Sequence, residues 1–390
     1  FAVHFSPIFY LLLPLYMLIP SPCTLLVAQG FIVASGVLPL VLICKKFKLS
    51  NTAAGLFAVC YVLYPAFAGG CFFYLHENCF LAPLILWFIY FSEKNQTLPA
   101  SAAALLILLV KEDAAVYTAV ISLYFLFSRK NCKRNLALFG ISILYFITVT
   151  HLMSVYGNGV MSGRYSNYIY DDGGLFTVIK AVLQNPIYTV QQIFTQEKLI
   201  FMLQMFVPLA FLPLMSKSPA KLILLIPLTL INLMTNYQYQ YSIDHQYIFG
   251  SGACLMYLAA ANFAELGKGR KKILLCAVLC SAILFAGGYL DKLGYVKSYQ
   301  DTAYQRETIQ QALSLIPDDA SVASSTFFLA NLSQRKEIYE LETTKQKAEY
   351  YVLDLRYATD EYAADDYLNE AYITIFYEEG VVGVFKRRAS

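Results

Sequence analysis

The sequence predicts an all-α membrane protein, a polytopic helical bundle, followed by a small soluble α/β domain. Apolar residues make up 58% of the 390-residue chain and charged residues only 14%, whereas soluble globular domains carry roughly 25% charge. Long apolar runs recur up to residue 290, and in lipid each run must be a helix that satisfies its own backbone hydrogen bonds. Residues 291–390 have mixed charge and no run long enough to span a bilayer.

We therefore assign residues 1–290 to the bundle and residues 291–390 to the soluble domain. Residues 5–19 are apolar but broken by prolines, so we predict an interfacial or re-entrant segment there. The chain starts at Phe1 without a methionine, so we expect an N-terminal piece of the bundle to be missing. About ten spans are predicted, at residues 22–44, 52–69, 79–92, 98–110, 114–128, 135–155, 198–215, 220–235, 247–266 and 271–290.

The distribution of basic residues predicts the orientation, because short cytoplasmic loops are enriched in lysine and arginine. The residues 98–127 are predicted to form two short helices that meet at Lys111-Glu112-Asp113, since three ionisable groups at mid-bilayer would cost several kcal/mol. The alternate loops that hold most basic residues are then cytoplasmic, and the soluble domain is extracytoplasmic. These basic residues are Lys45, Lys46, Lys48, Lys94, Arg129, Lys130, Lys133, Arg134, Lys217, Lys221, Lys268, Arg270, Lys271 and Lys272.

The opposite, outer side collects the residues that could carry chemistry. Glycosyl transfer would need a carboxylate as general base and cationic partners for a departing phosphate. The candidate catalytic carboxylates are Glu77, Glu112 and Asp113. The candidate substrate-binding residues are His4, His76, Lys111, Arg164, Asp244 and His245.

Each candidate also has a structural explanation. Lys111-Glu112-Asp113 could be a salt-bridged corner before a helix N-terminus, where negative charge is stabilised. His76-Glu77 could make a loop-end hydrogen bond, and His4 could anchor the interfacial segment. Arg164 and Asp171-Asp172 lie in a long polar loop over residues 156–197, where charge is usually solvated. Within that loop, residues 175–194 have helical apolar spacing, which predicts a helix lying on the membrane and a loop that covers a cavity.

The net charge of +3 is too small to indicate a nucleic-acid partner. Cys71 and Cys79 could form a disulfide if the outer face is oxidising. A divalent metal held by His4, His76, His245 and a carboxylate is chemically conceivable, although these residues share no local ligand spacing. No cofactor is otherwise predicted.

The soluble domain is predicted to have a helix at residues 306–316 and strands at residues 321–325, 337–341 and 350–355. A helix near residues 360–370 and a hairpin of residues 372–377 and 381–386 complete it. It has no Gly-rich phosphate loop, cysteine or histidine, so we expect a recognition or lid domain.

Several stretches resemble one family of membrane proteins, known as domain of unknown function 2079. They include His4-Phe5-Ser6-Pro7, Leu75-His76-Glu77 with Pro83, Val110-Lys111-Glu112-Asp113, and Ile316-Pro317-Asp318-Asp319. Tyr74 departs from the pattern, since the family more often has Asp two residues before the histidine. The resemblance covers nearly the whole chain.

That family is similar in architecture to the polytopic GT-C glycosyltransferases, which transfer a sugar from a polyprenyl-phosphate carrier to an acceptor at the outer face. The resemblance implies such a transferase in a cell membrane, with membrane lipid and a polyprenyl-phosphate sugar as partners. It also implies a catalytic aspartate in a first outer loop, which would precede Phe1. Two alternatives remain: a non-catalytic scaffold or sensor with an outer binding domain, and a transporter for a lipid-linked solute, although ionisable residues are scarce in the predicted spans.

Overall fold

A computed structural model of the chain describes residues 4–159, 162–170, 175–267, 270–341, 343, 347–356 and 364–388. The chain divides into two compact units, Phe1–Leu290 and Asp291–Ser390. The first unit contains helices α1 (Leu13–Leu18), α2 (Pro22–Ser35), α3 (Val37–Lys46), α4 (Asn51–Val62), α5 (Pro65–Phe72), α6 (Leu81–Glu93), α7 (Thr97–Leu108), α8 (Ala115–Phe127), α9 (Cys132–Tyr156), α10 (Leu175–Gln184), α11 (Pro186–Ile193), α12 (Gln196–Phe206), α13 (Phe249–Glu265) and α14 (Arg270–Tyr289).

The mainly helical architecture is confirmed, but the count of about ten spans is not. Within the described residues, five helical stretches are long and apolar enough to cross a membrane: Pro22–Lys46, Asn51–Phe72, Cys132–Tyr156, Gln246–Glu265 and Arg270–Asp301. Several other predicted spans form shorter helices. Helices α7 and α8 have 12 and 13 residues, which at 1.5 Å per residue falls short of a hydrocarbon core about 30 Å thick.

Two local predictions have clear outcomes. The run of residues 98–127 is indeed two helices, α7 and α8, joined through Lys111 and the short 3-10 turn Glu112–Ala114. The predicted amphipathic helix over residues 175–194 is instead two helices, α10 and α11. It breaks at Asn185-Pro186, because proline has no N–H to continue the helix, and the Asn185 side chain caps α11.

The core of the first unit is organised around α13. Every residue from Phe249 to Phe263 is buried, so this helix is enclosed on all sides, as a helix without a polar face must be. Its glycines allow close approach: a Cβ at Gly250 would overlap the Tyr117 ring of α8, and one at Gly252 would contact Phe67 of α5. Helix α13 thus packs against α5 and α6, and it contacts α8 through Tyr117 and Tyr124.

The second unit contains helices α15 (Gly294–Asp301), α16 (Ala303–Ser314) and α17 (Thr326–Leu332). Its strands are β1 (Val322–Ser324), β2 (Ile338–Glu340), β3 (Tyr350–Asp354), β4 (Tyr372–Glu378) and β5 (Val382–Arg387), in the order β2-β1-β3-β5-β4. Strands β1, β2 and β3 are parallel, and β3-β5 and β5-β4 are antiparallel.

This sheet confirms the strands and the hairpin predicted for the C-terminal domain. Its core is formed by residues such as Ile309, Val322, Phe328, Val352 and Val384. Helices α15 and α17 were not predicted. The helix predicted near residues 360–370 lies partly outside the described residues, and within them there is only a 3-10 turn, Ala364–Asp366.

Candidate functional site

The Lys111-Glu112-Asp113 corner lies between α7 and α8. Helix α7 ends at Leu108, Lys111 is extended, and the turn Glu112–Ala114 leads directly into α8. The two carboxylates therefore precede a helix N-terminus, where the helix dipole stabilises negative charge. This local arrangement places three ionisable side chains at one end of the α7–α8 pair.

Glu112 is paired with the N-terminal segment. Its Oε1 lies 2.8 Å from His4 Nδ1, and its Oε2 accepts a hydrogen bond from the Phe5 backbone N–H at 3.2 Å. Burial would raise the pKa of Glu112, but the hydrogen bond and charge of His4, with the charge of Lys111, lower it overall. Glu112 is therefore an ionised anchor for residues 4 and 5.

Lys111 and Glu77 form a second buried pair. Lys111 Nζ lies 3.5 Å from Glu77 Oε1, and both side chains are almost inaccessible to solvent. The ammonium also lies 5.5 Å from the centre of the Tyr247 ring, within cation–π range. Burial would lower the pKa of Lys111, but Asp113, Glu77 and Glu112 raise it overall, so Lys111 stays charged.

Arg164 lies against two tyrosines. Its guanidinium carbon is 4.8 Å from the Tyr237 ring centre and 5.1 Å from that of Tyr247, and Nη2 donates to the Tyr247 hydroxyl at 3.1 Å. The Arg164 carbonyl accepts hydrogen bonds from Asn236 N–H and from the Thr235 hydroxyl. Both the backbone and the guanidinium of Arg164 are therefore held in place.

A cavity of about 280 Å³ is lined by Glu112, Asp113 and Arg164, and we call it the Asp113 cavity. Acidic groups, a cation and hydrogen-bonding side chains thus share one chamber with apolar walls. Its polar lining consists of His4, Glu112, Asp113, Arg164, Tyr165 and Gln240. Its apolar lining consists of Val116, Phe146, Val178, Ile179, Leu230, Ile231 and Met234.

Asp113 differs from the other two predicted carboxylates. No described side chain forms a hydrogen bond or ion pair with its carboxylate, whereas Glu112 is bonded to His4 and Glu77 is paired with Lys111. Burial raises the pKa of Asp113, and Lys111 only partly offsets this effect. A carboxylate with a raised pKa and no partner is suited to accept a proton from a bound molecule.

The other predicted binding residues lie near one another but do not line the Asp113 cavity. The His76 ring stacks on Phe73, and His245 also contacts Phe73 and donates to or accepts from the Ser242 hydroxyl at 3.0 Å. Burial lowers the pKa of both His76 and His245. Asp244 accepts a hydrogen bond from the Tyr289 hydroxyl at 2.9 Å.

Two further predictions concern metal and disulfide chemistry. The described residues contain no group of three or more His, Cys, Asp or Glu side chains placed to hold a metal ion. Cys71 and Cys79 are both free thiols, so the possible disulfide is not formed. The Asp171-Asp172 pair lies outside the described residues.

Sequence reasoning missed three residues that shape this end of the bundle. Tyr237 and Tyr247 hold Arg164, and the fully buried Gln29 accepts from the His76 backbone N–H and donates to the Cys71 and Phe73 carbonyls. The tyrosines belong to a stripe that is also typical of membrane-interface anchors. Gln29 is a polar residue inside an apolar run, and that was the one signal that could have identified it.

Comparison with known proteins gives one match. Neither the curated proteins nor the solved structures contain a significant match to the chain. The family model of DUF2079, described as a predicted membrane protein, matches residues 1–373. The chain therefore belongs to the DUF2079 family of predicted membrane proteins.

Proposed function

We propose that this protein is an integral membrane glycosyltransferase that moves a sugar from a polyprenyl-phosphate carrier to an acceptor at the outer membrane face. The observation that carries the proposal is the Asp113 carboxylate, which has no hydrogen-bond or ion-pair partner among the described residues, in a cavity that Arg164 also lines. A base and a phosphate-binding cation are the two groups that this transfer requires.

In the proposed reaction, Asp113 accepts the proton of an acceptor hydroxyl as that oxygen bonds to the anomeric carbon of the sugar. The bond between the anomeric carbon and the phosphate oxygen breaks, and polyprenyl phosphate leaves with the bonding electron pair. Arg164 stabilises the phosphate, because its planar guanidinium suits the bidentate recognition of phosphate oxygens.

The walls of the Asp113 cavity fit the lipid part of such a donor. Seven of its lining residues are apolar, including Phe146, Ile179 and Leu230. The adjoining helices α10 and α11 expose further apolar side chains, among them Phe176, Leu183 and Ile187, and exposed apolar patches of this kind mark membrane contact. A prenyl chain would therefore pass from lipid to the charged groups without crossing polar surface.

The test is transfer of labelled sugar by the protein in nanodiscs from a panel of polyprenyl-phosphate sugars. We expect turnover by the wild type and a fall of about 10²-fold or more in Asp113→Asn, the scale of general-base catalysis. The turnover of Glu77→Gln should fall less, because Glu77 is paired with Lys111 and not placed to act as the base.

The matched control is Glu93→Gln, a buried carboxylate that does not line the Asp113 cavity. It should retain the wild-type rate once the amount of folded protein is matched. An active wild type with an equally active Asp113→Asn variant would exclude Asp113 as the base. If no donor is consumed while the intact protein captures a protein partner, the scaffold hypothesis replaces the transferase.

A further inference from the structure

Four polar side chains are buried beside the Asp113 cavity without lining it. Lys111, Glu77, Asn78 and Gln246 are exposed by only 1%, 5%, 4% and 6%. They come from the Lys111 corner and from two short turns, Glu77–Phe80 and Gln246–Ile248, which contact each other. Lys111 touches both turns, through Glu77 at 3.5 Å and through the Tyr247 ring.

This group is poorly satisfied. The amide oxygens of Asn78 and Gln246 and His76 Nε2 are buried and have no hydrogen-bond partner among the described residues. The contact between Lys111 Nζ and Glu77 Oε1 is longer than a good hydrogen bond. Native proteins pair nearly all buried polar groups, because each unpaired group costs about 1–3 kcal/mol.

A second buried amide shows what a structural role requires. Asn262 donates two hydrogen bonds from Nδ2, to the carbonyls of Leu212 and Pro213, and its Oδ1 accepts one from Lys221. That side chain is fully used in holding the fold. The amide oxygens of Asn78 and Gln246 make no such bonds with the described residues, so each can accept a hydrogen bond from a hydroxyl group of a bound molecule.

We infer that Glu77, Asn78, Lys111 and Gln246 form a subsite for the sugar ring of the lipid-linked donor. This inference rests on the proposed transferase and assigns the sugar-recognising residues. Amide oxygens and a carboxylate accept hydrogen bonds from ring hydroxyls, and an ammonium donates to them. Tyr247 adds an aromatic face and also holds Arg164, which places the sugar next to the phosphate position.

The test compares binding of a polyprenyl-phosphate hexose with binding of polyprenyl phosphate, which lacks the sugar, to the intact protein in nanodiscs. The wild type should bind the sugar-bearing lipid at least about tenfold more tightly. The double variant Asn78→Leu, Gln246→Met, which has apolar side chains of similar size, should lose this preference and keep its affinity for polyprenyl phosphate.

The thermal stability of the same variants separates a ligand site from a structural one. Replacing unpaired amides by apolar groups should leave the unfolding temperature of the ligand-free protein unchanged or higher. Asn262→Leu is the matched control and should lower it, because three hydrogen bonds are lost. The single variant Asn78→Leu serves if the double variant does not fold.

Equal binding of the two lipids by the wild type would overturn the inference. A double variant that keeps its preference for the sugar-bearing lipid would also overturn it. A double variant that unfolds at a lower temperature and binds both lipids more weakly would overturn it as well, because that result would indicate that the amides bind structural water. If the wild type transfers sugar but binds the two lipids equally, the subsite is rejected and the proposed transferase is retained. If the wild type prefers the sugar-bearing lipid but transfers no sugar, the transferase is rejected and the subsite is retained as a binding site.

Discussion

Two clusters of ionisable and aromatic residues in the bundle have similar compositions, but the first is buried and fully hydrogen-bonded whereas the second is half-buried around a cavity. In the first, the Glu93 cluster, Glu93 Oε1 accepts from the Tyr257 hydroxyl at 2.7 Å and Oε2 from Lys130 at 2.6 Å. The Tyr124 and Tyr257 hydroxyls are 2.8 Å apart. In the second, around the Asp113 cavity, Asp113 has no partner among the described residues and the chamber holds about 280 Å³.

The difference lies in the partners of the two carboxylates. Both oxygens of Glu93 are paired with side chains of other elements, so its charge stabilises the packing of α6 against α13. Asp113 gains no such contact, and its burial raises its pKa. Charge that is buried without a partner costs free energy, and function is the usual reason for a protein to retain it.

The largest expected effect on stability is at the Glu93 cluster. Glu93→Ala removes the acceptor of both Tyr257 and Lys130, so the free energy of unfolding should fall by about 2–3 kcal/mol. Asp113→Ala, the matched change at the Asp113 cavity, should not lower the free energy of unfolding. Equilibrium unfolding in detergent measures both, and equal losses in the two variants would contradict the distinction.

A smaller loss is expected where α13 meets α8 near the Asp113 cavity. Gly250→Ala places a Cβ against the Tyr117 ring, and overpacking of this kind costs about 1–3 kcal/mol. The displaced α8 carries the residues that follow Asp113, so sugar transfer should fall as well. Gly140→Ala in α9 is the control, since its Cβ meets no atom within 4 Å; a loss as large there would show that the effect is not steric.

Asp113→Asn should change stability less, and it should stabilise the protein rather than destabilise it. The pKa of Asp113 is raised in the folded state, so its contribution to stability is complete below its ordinary value of 3.8 and is lost as the pH rises. The variant should therefore be more stable than the wild type at pH 7, by about 1 kcal/mol, and no more stable near pH 3. Unfolding curves at the two pH values test this, and a variant less stable at pH 7 would show that the carboxylate has a structural role.

The smallest effect is expected at Glu112, whose folded pKa is lowered. Its contribution to stability is present above the ordinary value of 4.5 and is lost as the pH falls through the folded pKa. His4→Ala should therefore cost about 0.5–1 kcal/mol at pH 7, and this cost should diminish as the pH falls through the folded pKa of Glu112. The difference in unfolding temperature between wild type and variant at each pH is the measurement, and a difference independent of pH would contradict the pairing.

Much of the fold could be predicted from local sequence. The break at Lys111-Glu112-Asp113 follows from the cost of placing charge at mid-bilayer, and the hairpin at Gly380 follows from a glycine that adopts a positive φ. The count of about ten spans is not confirmed, because an apolar run does not show where a helix ends inside the protein. The break at Pro186 had a clear signal in the sequence, but the apolar spacing on both sides concealed it.

The candidate site could be predicted only as a set of residues on one side of the membrane. Its pairings join residues far apart in the chain, such as His4 with Glu112 and Arg164 with Tyr247, and no local pattern contains them. The sequence therefore could not distinguish Asp113 from Glu112 and Glu77. Only the partners of each carboxylate make that distinction.

The central claim is that the Asp113 cavity holds a lipid-linked donor, and photoaffinity labelling tests it most directly. A polyprenyl phosphate with a photoreactive group near the phosphate would be bound to the protein in nanodiscs, and the labelled peptides would be identified by mass spectrometry. We predict labelling at Phe146, Leu230 or Ile231, which line the cavity, and competition by the unlabelled lipid. Labelling confined to other surfaces, or unaffected by competitor, would contradict the claim.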